Sequence, residues 1–173
     1  MFGDIKLPSQ QRKEKMSSRF SHDRQKAKNM FGLSVIENIY IPIEIKSRNQ
    51  IDKWHWSKKA HLRQEYQLLV RNQMSVMKVS KVKEGTKCGL VIIGTRKREL
   101  DFDNFVGGCK QLVDAMVHEG FIWDDDNKHL GIPKFIQQKC DKGEEPCVHI
   151  IRKNYDEKDL IPESIPNGAN WFD

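Results

Sequence analysis

The sequence predicts an α+β domain in which a small mixed β-sheet is backed by two helices. Apolar residues alternate with other residues between positions 39 and 45, which is typical of a strand. Two later segments, at about 57–78 and 103–118, show the helical period, and a continuous apolar run at 88–94 is typical of a buried strand. With 173 residues the chain is long enough to bury one core without disulfides or metals.

The first predicted strand covers residues 34–46 and contains Pro42. Proline cannot donate a hydrogen bond to a neighbouring strand, so this strand is expected at an edge of the sheet or at a bulge. An exposed edge with one apolar face is also a place where two subunits can meet.

Aromatic and cationic residues precede the first long helix, in the order Trp54-His55-Trp56 and then Lys58-Lys59. Aromatic rings beside cations can stack on bases and bind phosphates, but tryptophans more often fill cores. We interpret Trp56 as a core residue. Lys58 and Lys59 are candidate phosphate contacts, with a solvated helix face as the alternative.

The buried run at 88–94 leads to three consecutive cations, Arg96, Lys97 and Arg98, which stand directly before a group of acidic residues. A solvated strand end would have the same composition. Because the cations are adjacent to the acids, we favour the interpretation that they bind the backbone of a polyanionic strand.

Carboxylates recur at Asp101, Asp103 and positions 124–126, within otherwise apolar segments. Gathering several carboxylates repels like charges unless protons or cations offset it, so a divalent metal is expected. On a helix over 103–118, Asp103, Lys110 and Asp114 share one face, and the opposite face is apolar. The pair Gly107-Gly108 predicts that the regular helix begins only near Cys109.

The end of the domain is expected to contain a helix stop at Gly120 and a final hairpin of residues 134–139 and 147–152. The four cysteines have no CxxC spacing, which favours free thiols in a reducing compartment. A zinc site containing Cys140, Cys147 and His149 is a weaker alternative.

Charge and hydropathy indicate a polyanionic partner and no membrane span. The net charge is +6, and residues 1–33 carry eight Lys or Arg, including Lys26 and Lys28, against three acids. We predict a basic arm at 1–33 that binds phosphates, a core domain at 34–155 and a tail at 156–173; a merely solvated arm is the alternative. Without an apolar run or a signal-peptide core, a cytoplasmic location is expected.

The acidic segments resemble a motif of the RusA-type Holliday-junction resolvases of phages and prophages. The residues that carry the resemblance are, in order, Asp101-x-Asp103-Asn104, Lys110 with Asp114 four residues later, and Gly120 followed by paired aspartates. The resemblance spans about residues 35–155 and is strongest over 98–131. It implies a homodimeric, RusA-like fold and a magnesium-dependent nuclease, with Mn²⁺ able to substitute, acting on four-way junctions. Its implied site consists of the metal ligands Asp101, Asp103 and Asp125, the catalytic Lys110, and the supporting Asp114 and Asp124.

The chain departs from the compact form of this motif at Lys110, which lies seven residues after Asp103 instead of four because Gly107, Gly108 and Cys109 intervene. Two other functions remain open: a metal-dependent nuclease acting on flaps or ordinary duplex, and a DNA-binding protein without catalysis.

Overall fold

The computed structural model describes residues 35–155, in which four strands form one mixed sheet accompanied by three helices. No described helix is both long and apolar enough to cross a bilayer. The predicted arm, with Lys26 and Lys28, and the predicted tail lie outside the described residues. The elements are, in order, β1 (Val35–Ile41), α1 (Arg48–Asp52), α2 (Trp56–Val76), β2 (Cys88–Arg96), α3 (Phe102–Glu119), β3 (Lys134–Lys139) and β4 (Cys147–Asn154).

The strand order in the sheet is β1-β4-β2-β3, so β2 is an interior strand. It pairs with β3 in parallel and with β4 antiparallel, and Ile92 lies opposite both Phe135 and Ile150. All nine residues of β2 are buried, which confirms the prediction of a strand covered on both faces. The predicted final hairpin is wrong: β3 and β4 lie on opposite sides of β2, because α3 carries the chain across to a parallel position.

Strand β1 lies at an edge of the sheet, as Pro42 predicts. The strand ends at Ile41, directly before that proline, and is therefore shorter than expected. Ile39 and Ile41 are completely buried in the core.

The short helix α1 was not predicted from the sequence. Its signal is a capping box: the Ser47 side chain accepts from the Gln50 backbone N–H, and the Gln50 side chain accepts from the Ser47 backbone N–H. The next helix follows the prediction closely. Trp56, however, is 74% exposed, so its assignment to the core is wrong; the partly buried Trp54 packs against the core instead.

Helix α3 is continuous through Gly107 and Gly108, so the prediction that it begins near Cys109 is wrong. A Cβ atom at Gly108 would lie 2.1 Å from the backbone oxygen of Lys46. The glycine thus lets the segment before α1 approach the helix closely, and this packing outweighs the low helix propensity. The predicted apolar stripe is confirmed, since its members are buried: Phe105, Cys109, Leu112, Val113 and Met116. Gly120 ends the helix in the left-handed region with a φ of 76°, as predicted.

An ion pair joins α2 to α3. The Arg71 guanidinium donates to both oxygens of the buried Glu119 carboxylate, at 2.8 and 2.9 Å. These hydrogen bonds lower the pKa of Glu119 although burial acts to raise it, and His118 contributes a further hydrogen bond.

Arg71→Ala is expected to reduce the free energy of unfolding at pH 7 by about 1–3 kcal/mol, because it leaves a buried charged acceptor without its main partner. Since the pKa of Glu119 is lower in the folded protein, this contribution exists above the unfolded pKa of about 4.3 and disappears as the pH falls through the folded pKa. Urea unfolding at pH 7 and pH 3 measures the difference. Arg63→Ala is the control, because Arg63 donates to the neutral side chain of Gln111; an equally large and pH-dependent loss there would contradict the argument.

Candidate functional site

The acidic loop, defined as residues 123–129, follows α3 and is fixed at both ends. Before it, Phe121 and Ile122 are completely buried. At its end, the backbone N–H of Cys88 donates to the His129 carbonyl at 2.9 Å, and the N–H of Gly131 donates to the Cys88 carbonyl at 3.1 Å. The start of β2 thereby holds the loop, and the loop's carboxylates are positioned by the sheet.

Lys110 links the exposed face of α3 to the acidic loop. Its ammonium donates to Asp114 Oδ1 and to Asp125 Oδ2, each at 2.7 Å. These two hydrogen bonds raise the pKa of Lys110, so the side chain is positively charged at neutral pH. The lysine side chain is more than half exposed, and the cation is therefore accessible to a ligand.

Asp124, Asp126 and His129 form a second group in the same loop, in which one potential ligand atom from each lies within 4.8 Å of the others. Asp126 Oδ1 accepts from the His129 ring Nδ1 at 2.7 Å and from the backbone N–H groups of Lys128 and His129. Burial acts to raise the pKa of Asp126, but these hydrogen bonds lower it by more. The three residues could hold a metal ion.

Asp101 and Asp103 are exposed at the start of α3. Asp101 is the N-cap residue, yet its side chain makes no capping hydrogen bond. Lys110 follows Asp103 by seven positions of the helix, which corresponds to about 10 Å along the axis. Among the described residues, Asp101, Asp103 and Asp125 do not form a group with ligand spacing. The structure therefore joins Lys110, Asp114 and Asp125 by hydrogen bonds, and no ligand group among the described residues contains Asp101 or Asp103.

The candidate DNA-contacting cations differ in accessibility. Arg96 is buried: its guanidinium donates to the backbone oxygens of Ile45 and Arg98 and lies 3.6 Å from Glu44 Oε1. These internal partners make Arg96 a structural residue, and we correct its assignment to DNA binding. Lys97 and Arg98 are exposed, as is Lys58, whereas Lys59 is partly buried and donates to the Asp52 carbonyl at 3.4 Å.

Sequence reasoning missed His129. The signal was the spacing Asp124-x-Asp126-x-x-His129, because a turn can bring residues three apart together. The zinc alternative has no counterpart in the described part of the chain, where Cys140, Cys147 and His149 do not form a ligand group. None of the four cysteines forms a disulfide, and three of them are buried.

No protein-family model matches the chain. A search of curated proteins likewise gives no match.

Proposed function

We propose that the protein is a metal-dependent endonuclease that hydrolyses phosphodiester bonds in branched DNA, the activity that the RusA resemblance implies. One observation carries the proposal: Lys110 and Asp125 join an exposed helix face to a loop that also contains Asp124, Asp126 and His129 at ligand spacing. A cation next to a potential metal site is an arrangement suited to a phosphate group. The net charge of +6 supports a polyanionic substrate.

The donor set of the acidic loop fits a divalent cation. Carboxylate oxygens suit Mg²⁺ and Mn²⁺, and the imidazole of His129 favours Mn²⁺ over Mg²⁺. Asp124, Asp126 and His129 would hold the ion. When bound, it would neutralise charge on the scissile phosphate and lower the pKa of a coordinated water.

The remaining residues of the site have separate tasks. Lys110 would stabilise the negative charge that develops on the phosphate, and Asp114 would orient Lys110 from the next turn of the helix. The hydrogen bond between Lys110 and Asp125 would break when substrate binds, so that Lys110 can contact the phosphate. Lys97 and Arg98 would contact the DNA backbone.

A homodimer is part of the proposal, because a four-way junction offers two equivalent strands and a two-fold dimer offers two equivalent sites. Light scattering of the full chain measures this directly. A monomer at working concentration that still cuts both strands would oppose it.

Cleavage of a synthetic four-way junction is expected to require Mg²⁺ or Mn²⁺ and to exceed cleavage of a linear duplex of the same sequence. The measurement is strand cleavage on denaturing gels, with and without excess EDTA. Undiminished cutting in EDTA would refute the metal requirement. Equal cutting of junction, flap and duplex would indicate a general nuclease, and binding without any cutting would indicate a DNA-binding protein.

The two candidate metal positions are distinguished by substitution. Asp126→Asn is expected to weaken Mn²⁺ binding, followed by electron paramagnetic resonance, by at least about tenfold, because it removes a charged ligand. Asp103→Asn should leave Mn²⁺ affinity unchanged, and the exposed Asp141→Asn serves as a control for total charge. The reverse pattern, with Asp103→Asn losing the ion, would place the metal at the aspartates that the resemblance implies.

A further inference from the structure

The turn between α1 and α2 carries an exposed aromatic and cationic surface, hereafter the Trp56 surface, formed by His55, Trp56, Lys58 and Lys59. Trp56 is the first residue of α2, and 74% of it is exposed to solvent. The His55 ring lies beside it, with the ring centroids 5.5 Å apart and the planes tilted by 44°. Since burial of a tryptophan contributes strongly to stability, an indole left this exposed is available for a ligand.

The surface is fixed by contacts within the turn. His55 is the N-cap residue: its Nδ1 accepts from the Ser57 backbone N–H at 3.4 Å and lies 2.9 Å from the Ser57 hydroxyl oxygen. Trp54 packs against the core, and the Lys58 ammonium lies 4.1 Å from the centroid of its ring. Lys59 donates to the Asp52 carbonyl. Trp54 is thus already covered, whereas Trp56 is exposed at the first residue of a helix whose N-cap is fixed.

The charge around Trp56 favours an anionic ligand. Residues 53–63 contain four Lys or Arg and no Asp or Glu. The preceding Asp52 is paired with Arg48, whose Nε lies 3.4 Å from its carboxylate. The exposed residues next to Trp56 in sequence include His55, Ser57 and Lys58, so the surface lacks the broad apolar face that insertion into a membrane interface requires.

The Trp56 surface lies at the same end of the helices as Asp101 and Asp103. Arg63 bonds Gln111 and Arg71 bonds Glu119, both with a separation of 48 residues, so α2 and α3 run in the same direction. The same offset places Trp56 at the level of Asn104. In agreement, Asn104 Oδ1 accepts from the backbone N–H of Asn49, in the helix just before the surface.

We propose that Trp56 stacks on an unpaired nucleobase of a DNA strand whose phosphates contact Lys58 and Lys59. An open indole combined with cations and without acids is the composition that binds single-stranded nucleic acid without reading its sequence. The inference rests on the proposed function only in taking DNA as the polyanion. It adds a requirement for unstacked bases, which a four-way junction or a flap supplies and a regular duplex does not.

The test uses the full chain without divalent metal, so that binding is measured apart from cleavage. Fluorescence anisotropy of a labelled oligothymidylate is expected to show about a 5- to 150-fold loss of affinity for Trp56→Ala, as for removal of one stacking ring. Trp56→Phe should retain most of the affinity. Leu68→Ala, also on α2 and more than half exposed, is the matched control and should have no effect.

An abasic strand of the same length separates stacking from charge. Wild-type protein should bind it as weakly as Trp56→Ala does, and Trp56→Ala should bind both strands equally. Unchanged oligothymidylate affinity in Trp56→Ala would overturn the inference. The inference would also be overturned if Trp56→Ala lost as much affinity for the abasic strand as for oligothymidylate. Binding to phosphatidylserine vesicles that depends on Trp56, without an effect of Trp56→Ala on oligonucleotide affinity, would overturn it too.

The two proposals can fail separately. If binding depends on Trp56 but the protein never cuts a junction in Mn²⁺, the stacking proposal stands and the nuclease proposal is refuted. If the protein cuts junctions in a metal-dependent way but Trp56→Ala binds DNA normally, the nuclease proposal stands and the stacking proposal is refuted.

Discussion

Lys110→Ala is expected to lower the single-turnover rate of junction cleavage by roughly 100- to 1000-fold, the loss typical of removing one group that stabilises the transition state. The ammonium is held by Asp114 and Asp125, both at 2.7 Å, so it is already positioned before substrate binds. Its pKa is raised by these hydrogen bonds, and the charge persists throughout the neutral range. Single-turnover conditions isolate the chemical step from product release.

The controls for Lys110→Ala are two other exposed lysines. Lys128→Ala removes a cation from the acidic loop, and Lys97→Ala removes one at the end of β2; neither side chain is bonded to Asp125. Lys97→Ala should mainly reduce affinity and flatten its salt dependence, as expected for a backbone contact. Lys110→Ala should leave junction affinity almost unchanged. Cutting at the wild-type rate would show that another cation serves the reaction.

The elements that sequence reasoning predicted well are those whose signal is local. The apolar stripe of α3 follows from periodicity, the buried position of β2 follows from its continuous apolar run at 88–94, and the edge position of β1 follows from the missing donor of Pro42. The pairing of β3 and β4 with opposite sides of β2 does not follow from any local pattern. Their short connection favoured a hairpin, but pairing was decided by the crossover through α3.

The candidate site was predicted in part for the same reason. Lys110 and Asp114 share a helix face at a spacing of four residues, which sequence shows directly. The contact of Lys110 with Asp125 spans 15 residues and depends on how Cys88 holds the loop. His129 contacts Asp126 through a turn, and helical or strand periodicity does not predict the conformation of such a turn. Asp101 and Asp103 lie at the start of α3, and the acidic loop follows the end of that helix, so their distance from the loop depends on tertiary packing and not on local sequence.

The glycine pair shows how packing reverses a local preference, and it provides a matched pair of substitutions. Alanine is favoured over glycine in a helix by about 1 kcal/mol, so helix propensity alone predicts that both Gly107→Ala and Gly108→Ala stabilise the protein. The two sites differ in what the added Cβ would meet. At Gly107 the nearest atom is Cδ of the Arg48 side chain, at 2.6 Å, and this exposed side chain can move away.

At Gly108 the added Cβ would lie 2.1 Å from the Lys46 backbone oxygen, which cannot move without displacing the segment that leads into α1. Gly108→Ala is therefore expected to reduce the free energy of unfolding by about 2 kcal/mol or more, as overpacking against backbone outweighs the gain in propensity. Gly107→Ala should be neutral or stabilising. Urea unfolding of both variants measures the difference, with the midpoint and slope compared to the parent protein. If Gly108→Ala were as stable as Gly107→Ala, the close approach of Lys46 to α3 would be wrong, and the two glycines would have to lie in a loop instead of inside the helix.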